Sequence, residues 1–283
     1  MHTLKPSSKA SVAVFDDALM SQVRARFHHV DRCPYTGPRI FFENAGGSLT
    51  LKAVVARMAE VAALPDNDHR DNDASRAISC MIDDGRDAMA SLLGVEDGIV
   101  FGGETGTECL FRVIRAAASA APAGGNIVAC ELEHPATFDA TAQWARRTGR
   151  QRLTVPFDPH QGRATAEDYA RVVTPETRVA TILHTSPVTG MTQDVAAIAE
   201  AIRVIAPDCY IIVDGIQHAP HGALAVSHYG VDACAVSLYK VFCPFNDGYA
   251  WVSPRLGCVD HDRLAGKPND AWELGSRDPA AWA

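Results

Sequence analysis

Residues 210–217 read Tyr210-Ile211-Ile212-Val213-Asp214-Gly215-Ile216-Gln217, and residues 233–240 read Ala233-Cys234-Ala235-Val236-Ser237-Leu238-Tyr239-Lys240. Each opens as a short apolar run and ends in polar side chains. A run of that length bounded by a turn signal reads as a buried strand. Outward from this pair the pattern repeats. Apolar runs fall at 99–101, 127–130, 151–155 and 179–184, and helical patterns at 107–120, 136–148, 166–173 and 192–205 separate most of them. Strand and helix in alternation predict an α/β fold, a mostly parallel seven-stranded sheet flanked by helices. The seventh run, 248–252, follows 233–237 with no room for a crossover helix. It is predicted to pair antiparallel.

Before the alternation, helical patterns cover 17–27, 50–63 and 75–93, with turn-rich connectors at 33–38 and 65–73 and an Asn44-Ala45-Gly46-Gly47 turn. Residues 1–38 read as an N-terminal segment and 39–283 as the main domain. The 283 residues are 47% apolar, enough to bury a large core. A net charge of -8 and scattered arginines argue against nucleic-acid binding. The N-terminus has no apolar export signal, and no stretch of 18 apolar residues exists, so a cytoplasmic chain with no membrane span is expected. The eight cysteines form no CxxC pair, and buried, reduced thiols are the expectation. No HExxH occurs, and His218 and His221 lack an acidic partner set, so no metal site is expected.

Lysine is scarce: Lys5, Lys9, Lys52, Lys240 and Lys267 are the whole set. Between Lys52 and Lys267 only Lys240 can supply an amine. At the end of an interior strand it either reaches solvent or serves as a nucleophile. Asp214 ends another such strand, where a carboxylate can pair with a protonated ring nitrogen or cap a helix. Gly102-Gly103-Glu104-Thr105-Gly106-Thr107 follows a strand and opens a helix, an arrangement that offers N–H groups and hydroxyls to an anion. It is neither a GxxxxGK[ST] loop nor GxGxxG. His134, in Glu133-His134-Pro135 after another strand, can stack on a planar ring, act as acid or base, or be structural. The carboxyl ends of strands are where open α/β sheets bind ligands. One chemistry uses all four elements: an aldehyde cofactor on lysine, its phosphate at a helix N-terminus, its pyridinium on a carboxylate. That is pyridoxal 5'-phosphate.

With Asp214-x-x-Gln217 and Ser237-x-x-Lys240 in this order and separation, the chain from about Phe41 resembles the class V aminotransferase family, which includes cysteine desulfurases, selenocysteine lyases and isopenicillin N epimerase-like enzymes. The resemblance implies the large domain of a type I pyridoxal-phosphate-dependent transferase. It implies that Lys240 carries the Schiff base, Asp214 pairs with the pyridine nitrogen, Gln217 bonds the phenolic oxygen and His134 stacks on the ring. Gly106, Thr107 and Ser237 would hold phosphate, and Ser186, in His184-Thr185-Ser186-Pro187, would lie beside the ring. Trp272-Glu273-Leu274-Gly275-Ser276 resembles the segment that reaches the partner subunit's phosphate, so Gly275 and Ser276 join the set and a homodimer is implied. His69 and Arg70 would approach the neighbour. Pro187 and Tyr239 depart from the desulfurase pattern, which has Asn and His there. Tyr239 would make or lose one phosphate contact, and Glu104 is expected to face away from the anion. Family members run to a C-terminal small domain, and the resemblance implies that this domain is missing from the 283 residues. The substrate-binding arginine and a desulfurase's persulfide cysteine would lie there, so none of the eight cysteines takes that role. The resulting expectation is an enzyme acting on an amino acid or related amine by transamination, elimination, desulfuration or epimerisation. A catalytically inactive cofactor-fold protein and a structural α/β protein with an ordinary Lys240–Asp214 ion pair are the alternatives.

Overall fold

The computed structural model describes residues 15–245, 247–275 and 277–283. Seven strands form one sheet: β1 (Ile99–Gly103), β2 (Asn126–Cys130), β3 (Gln151–Val155), β4 (Thr177–Leu183), β5 (Tyr210–Asp214), β6 (Ala233–Ser237) and β7 (Gly248–Val252). Their spatial order is β1-β7-β6-β5-β4-β2-β3. Neighbours from β6 to β3 pair in parallel, while β7 is antiparallel to both β1 and β6. The expected sheet and its reversed last strand are both present. The reversal has a simple cause: only a short 3-10 turn, Leu238–Lys240, and a loop join β6 to β7, too little chain for a crossover.

Successive residues of a strand point to opposite faces, and both faces here are covered. Ile127, Ile212 and Ala235 enter one core with Leu110 and Ile114 of α4 (Gly106–Ala120) and Trp144 of α5 (Pro135–Arg147). Val128, Val213 and Val236 enter the other, with Leu93 of α3 (Asp73–Leu93) and Ile198 and Ile202 of α7 (Val195–Ile205). This two-sided burial explains why the strands read as continuous apolar runs instead of alternating ones.

Helix boundaries follow local chemistry. Thr105 caps α4 by accepting a bond from the Glu108 N–H at 3.1 Å. Thr165 and Asp168 form a reciprocal capping box on α6 (Ala166–Val172). Gly94 ends α3 in the left-handed region at φ 67°, which a side chain would strain. Two further helices precede the sheet, α1 (Asp17–Ala25), which buries none of its residues, and α2 (Lys52–Ala62). Among the described residues no helix is long and apolar enough to cross a membrane.

Candidate active site

The carboxyl ends of β2, β5 and β6 share one edge because the strands are parallel, and β1, reversed twice through β7, ends there too. That edge therefore collects His134, Asp214, the turn 238–240 and the N-terminus of α4. A cavity of about 180 Å3 opens between them. Thr107, His134, Asp214, Gln217, Ser237, Tyr239 and Lys240, all singled out from sequence, line it.

Lys240 is only 5% exposed. Its Nζ donates to the Ala45 carbonyl at 2.7 Å and to Gln217 Oε1 at 2.8 Å. Burial pulls the amine below the ordinary lysine range, and the charge of Asp214 opposes that shift. Asp214 is buried as well. Its Oδ1 accepts from the Ile216 N–H at 3.1 Å and its Oδ2 from Thr137 Oγ1 at 3.0 Å. Burial pushes this carboxyl up, and those two bonds, with His134 and Lys240, counter it. Among the described residues Lys240 and Asp214 form no ion pair, so the ordinary salt bridge of the structural alternative is not what holds either group. Nor does Asp214 cap a helix, since its carboxylate closes the turn that begins at Gly215.

Gln217 is fixed from two sides, by Lys240 and by His221 Nε2 at 3.4 Å from its amide nitrogen. His134 caps α5 by accepting from the Ala136 N–H at 3.2 Å on Nδ1, and its exposed ring faces the cavity. The structural and ring-facing readings of this histidine are thus compatible. The start of α4 is seated tightly. The Gly106 N–H donates to Ser237 Oγ at 3.0 Å, and a Cβ at Gly106 would lie 2.4 Å from that oxygen. A Cβ at Gly248 would lie 2.0 Å from the Thr105 carbonyl carbon. Ser237 thus already accepts one N–H, while its hydroxyl proton remains available. Tyr239 stacks on Phe245, centroids 4.7 Å apart, and the pair walls the cavity.

Two candidates, Ser186 and Gly275, lie elsewhere. Ser186 is buried, but its Oγ accepts from the Val188 and Thr189 N–H groups at 3.2 Å and holds the turn 186–190; Pro187 is the residue that lines the cavity. Gly275 is exposed, outside the cavity, and Ser276 lies outside the described residues. Glu104 turns to Arg277, 2.8 Å away, as its expected outward orientation requires. His184 sits behind the cavity, stacked on His218 at 3.5 Å, and burial together with that neighbour pushes it down to about 3.

Sequence reading missed Thr137, Phe245 and the Ala45 carbonyl. The last has no side-chain signature, although the glycine-rich turn around it was legible. Ser48 ties that turn down by donating from both its N–H and Oγ to the Tyr239 carbonyl. Among the described residues no cluster of histidine, cysteine or acidic side chains suits a metal.

Residues 40–257 match the family described as aminotransferase class-V. The chain is 29% identical over 217 residues to the cysteine desulfurase-like protein ustD of Aspergillus flavus, covering 74% of this chain and 48% of that protein. It is 28% identical over 238 residues to the aminotransferase-like protein FGM3 of Gibberella zeae, covering 80% and 56% respectively. The chain thus spans about half the length of these relatives. The fold superimposes on the cysteine desulfurase CsdA of Escherichia coli with a TM-score of 0.78 at 22% identity, covering 95% of this chain and 70% of that one.

Proposed function

The chain belongs to the class V aminotransferase family, and from that premise we propose that it binds pyridoxal 5'-phosphate at Lys240 and acts on an amino acid or related amine. One observation carries the reading. A buried amine and a buried carboxylate face one cavity, and each is held by neutral partners, not by the other. An ion pair there would tie up both groups; this arrangement leaves the amine and the carboxylate each open to a ligand. The donor set also suits the cofactor: an amine for its aldehyde, a carboxylate for its ring nitrogen, and a helix N-terminus with glycine at the point of closest approach for its phosphate.

When bound, the cofactor supplies an electron sink for a carbanion next to the substrate nitrogen. The rest falls to the chain. Burial favours the neutral amine of Lys240, the form that would condense with the cofactor's aldehyde with loss of water, and that, once displaced by the substrate's amine, could take or return a proton at the substrate's α-carbon. Thr137 and the Ile216 N–H aim the Asp214 carboxylate so that it keeps a ring nitrogen protonated. Gln217 offers its amide to the ring oxygen, His134 covers a ring face, and Gly106, Thr107 and Ser237 hold phosphate. Tyr239, stacked on Phe245, closes the side of the pocket against water. The proposal includes a homodimer in which the exposed Gly275 segment serves the neighbouring subunit, and a large-domain role for residues 39–283. It ends at proton transfer on the α-carbon, the step common to transamination, elimination and epimerisation.

The test is spectroscopic. Adding pyridoxal 5'-phosphate to the purified chain should produce the visible absorbance of a cofactor–lysine Schiff base, and Lys240→Ala should lack it. A wild-type chain with no such band overturns the reading.

A further inference from the structure

The same sheet edge carries a second cavity, of about 250 Å3, that the proposed reaction leaves unused. Phe245 stands in the wall of both cavities. Asp247, the residue before β7, lines the second one and is only 6% exposed. Among the described residues nothing donates a hydrogen bond to its carboxylate. The charges that act on it are the carboxylates of Asp278 and Glu104, and burial together with these two pushes it up to about 6. The one cation in the wall, Arg277, is engaged elsewhere, with Nη1 2.8 Å from Glu104 and Nη2 3.0 Å from Glu108.

A carboxylate taken out of water without a partner is costly. The rings around it indicate what would offset that cost. Tyr249 and Trp282 meet edge to face at 4.7 Å, and Phe245 adds a third aromatic wall. Aromatic faces attract organic cations, most strongly where water is excluded. A hard metal ion needs several oxygen ligands converging on one point, and among the described residues no group of three acidic, histidine or cysteine side chains offers them. We propose that this cavity binds a small alkylammonium cation, with Asp247 as its counter-ion, the rings of Phe245, Tyr249 and Trp282 as its walls, and Asp278 and Glu104 at its mouth. The site does not depend on the reading of Lys240.

Tetramethylammonium is the probe, because its quaternary nitrogen cannot condense with an aldehyde. It is titrated into the full chain without added pyridoxal 5'-phosphate, with sodium chloride at equal ionic strength and tert-butanol as controls. Calorimetric binding and a raised Tm are expected for tetramethylammonium alone. Binding should tighten as pH rises from about 5 to about 7, as Asp247 ionises. Asp247→Asn should weaken binding about tenfold or more and flatten that pH dependence. The same variant should raise the Tm of the free protein near neutral pH, since it removes a buried, unpartnered charge. Asp278→Asn, at the exposed mouth, should weaken binding less and provides a second variant. Tetramethylammonium that performs no better than sodium chloride, or that binds wild type and Asp247→Asn alike, overturns the proposal.

Discussion

The amine of Lys240 lies 2.8 Å from the amide oxygen of Gln217, and no carboxylate pairs with it among the described residues. A neutral acceptor orients the amine without stabilising its charged form as a carboxylate would. Gln217→Glu would place a negative charge at that distance. The pH at which Lys240 reacts with pyridoxal 5'-phosphate should then rise by about one to three units. The rate of adduct formation measured against pH reads this directly, and an unchanged profile would show that Gln217 does not set the amine's reactivity.

The fit between Gly248 and the start of α4 predicts a steric effect. A methyl group at this position would overlap Thr105 and Gly106 backbone atoms, which cannot turn aside as a flexible side chain can. Gly248→Ala should cost about 1–3 kcal/mol or more in chemical denaturation. It should also weaken binding of pyridoxal 5'-phosphate, because the displaced backbone is the N-terminus proposed to hold the phosphate.

Glu133 predicts a pH dependence. It is buried, accepts from Thr181 Oγ1 at 2.8 Å through Oε1, and among the described residues its Oε2 has no partner. Burial, then the charge of Asp214, pushes it from 4.5 up to about 8. Between those values the folded protein holds a proton that the unfolded chain has released. Its contribution to stability is therefore complete below about pH 4.5 and falls as pH rises toward about 8, at about 1.4 kcal/mol per pH unit. Glu133→Gln should remove that slope. Denaturation midpoints across the range, identical in slope for both proteins, would refute the assignment.

The thiols should divide by depth. Cys109, Cys130, Cys209 and Cys234 are buried, and burial pushes the first three up to about 12 and Cys234 upward as well. Cys80 and Cys258 are exposed. Brief treatment of the folded protein with iodoacetamide should modify the exposed pair and spare the buried four until denaturant is added, as peptide mapping would show.

The legibility of this protein in its sequence follows from where its information lies. Strands buried on both faces leave unbroken apolar runs, so the sheet was readable from 99 to 252, including the reversal of β7 from the short gap before it. Asp214, Gln217, Ser237 and Lys240 were readable because parallel strands bring their carboxyl ends to one edge. Ser186 was less legible because a serine beside proline can serve either a ligand or its own turn, and here its Oγ accepts from the two N–H groups that follow Pro187. The Ala45 carbonyl was invisible because a main-chain acceptor has no residue type. Asp247 was passed over because other walls of its cavity, Gly102 and Trp282 among them, are distant from it in sequence.

The central claim is that Lys240 is the residue that holds the cofactor. The direct measurement is incubation with pyridoxal 5'-phosphate, reduction with borohydride and peptide mapping of the modified lysine. The account predicts a single stable adduct, on Lys240, and none in Lys240→Ala. An adduct on Lys52 or Lys267 with Lys240 unmodified, or labelling that Lys240→Ala leaves intact, would contradict it.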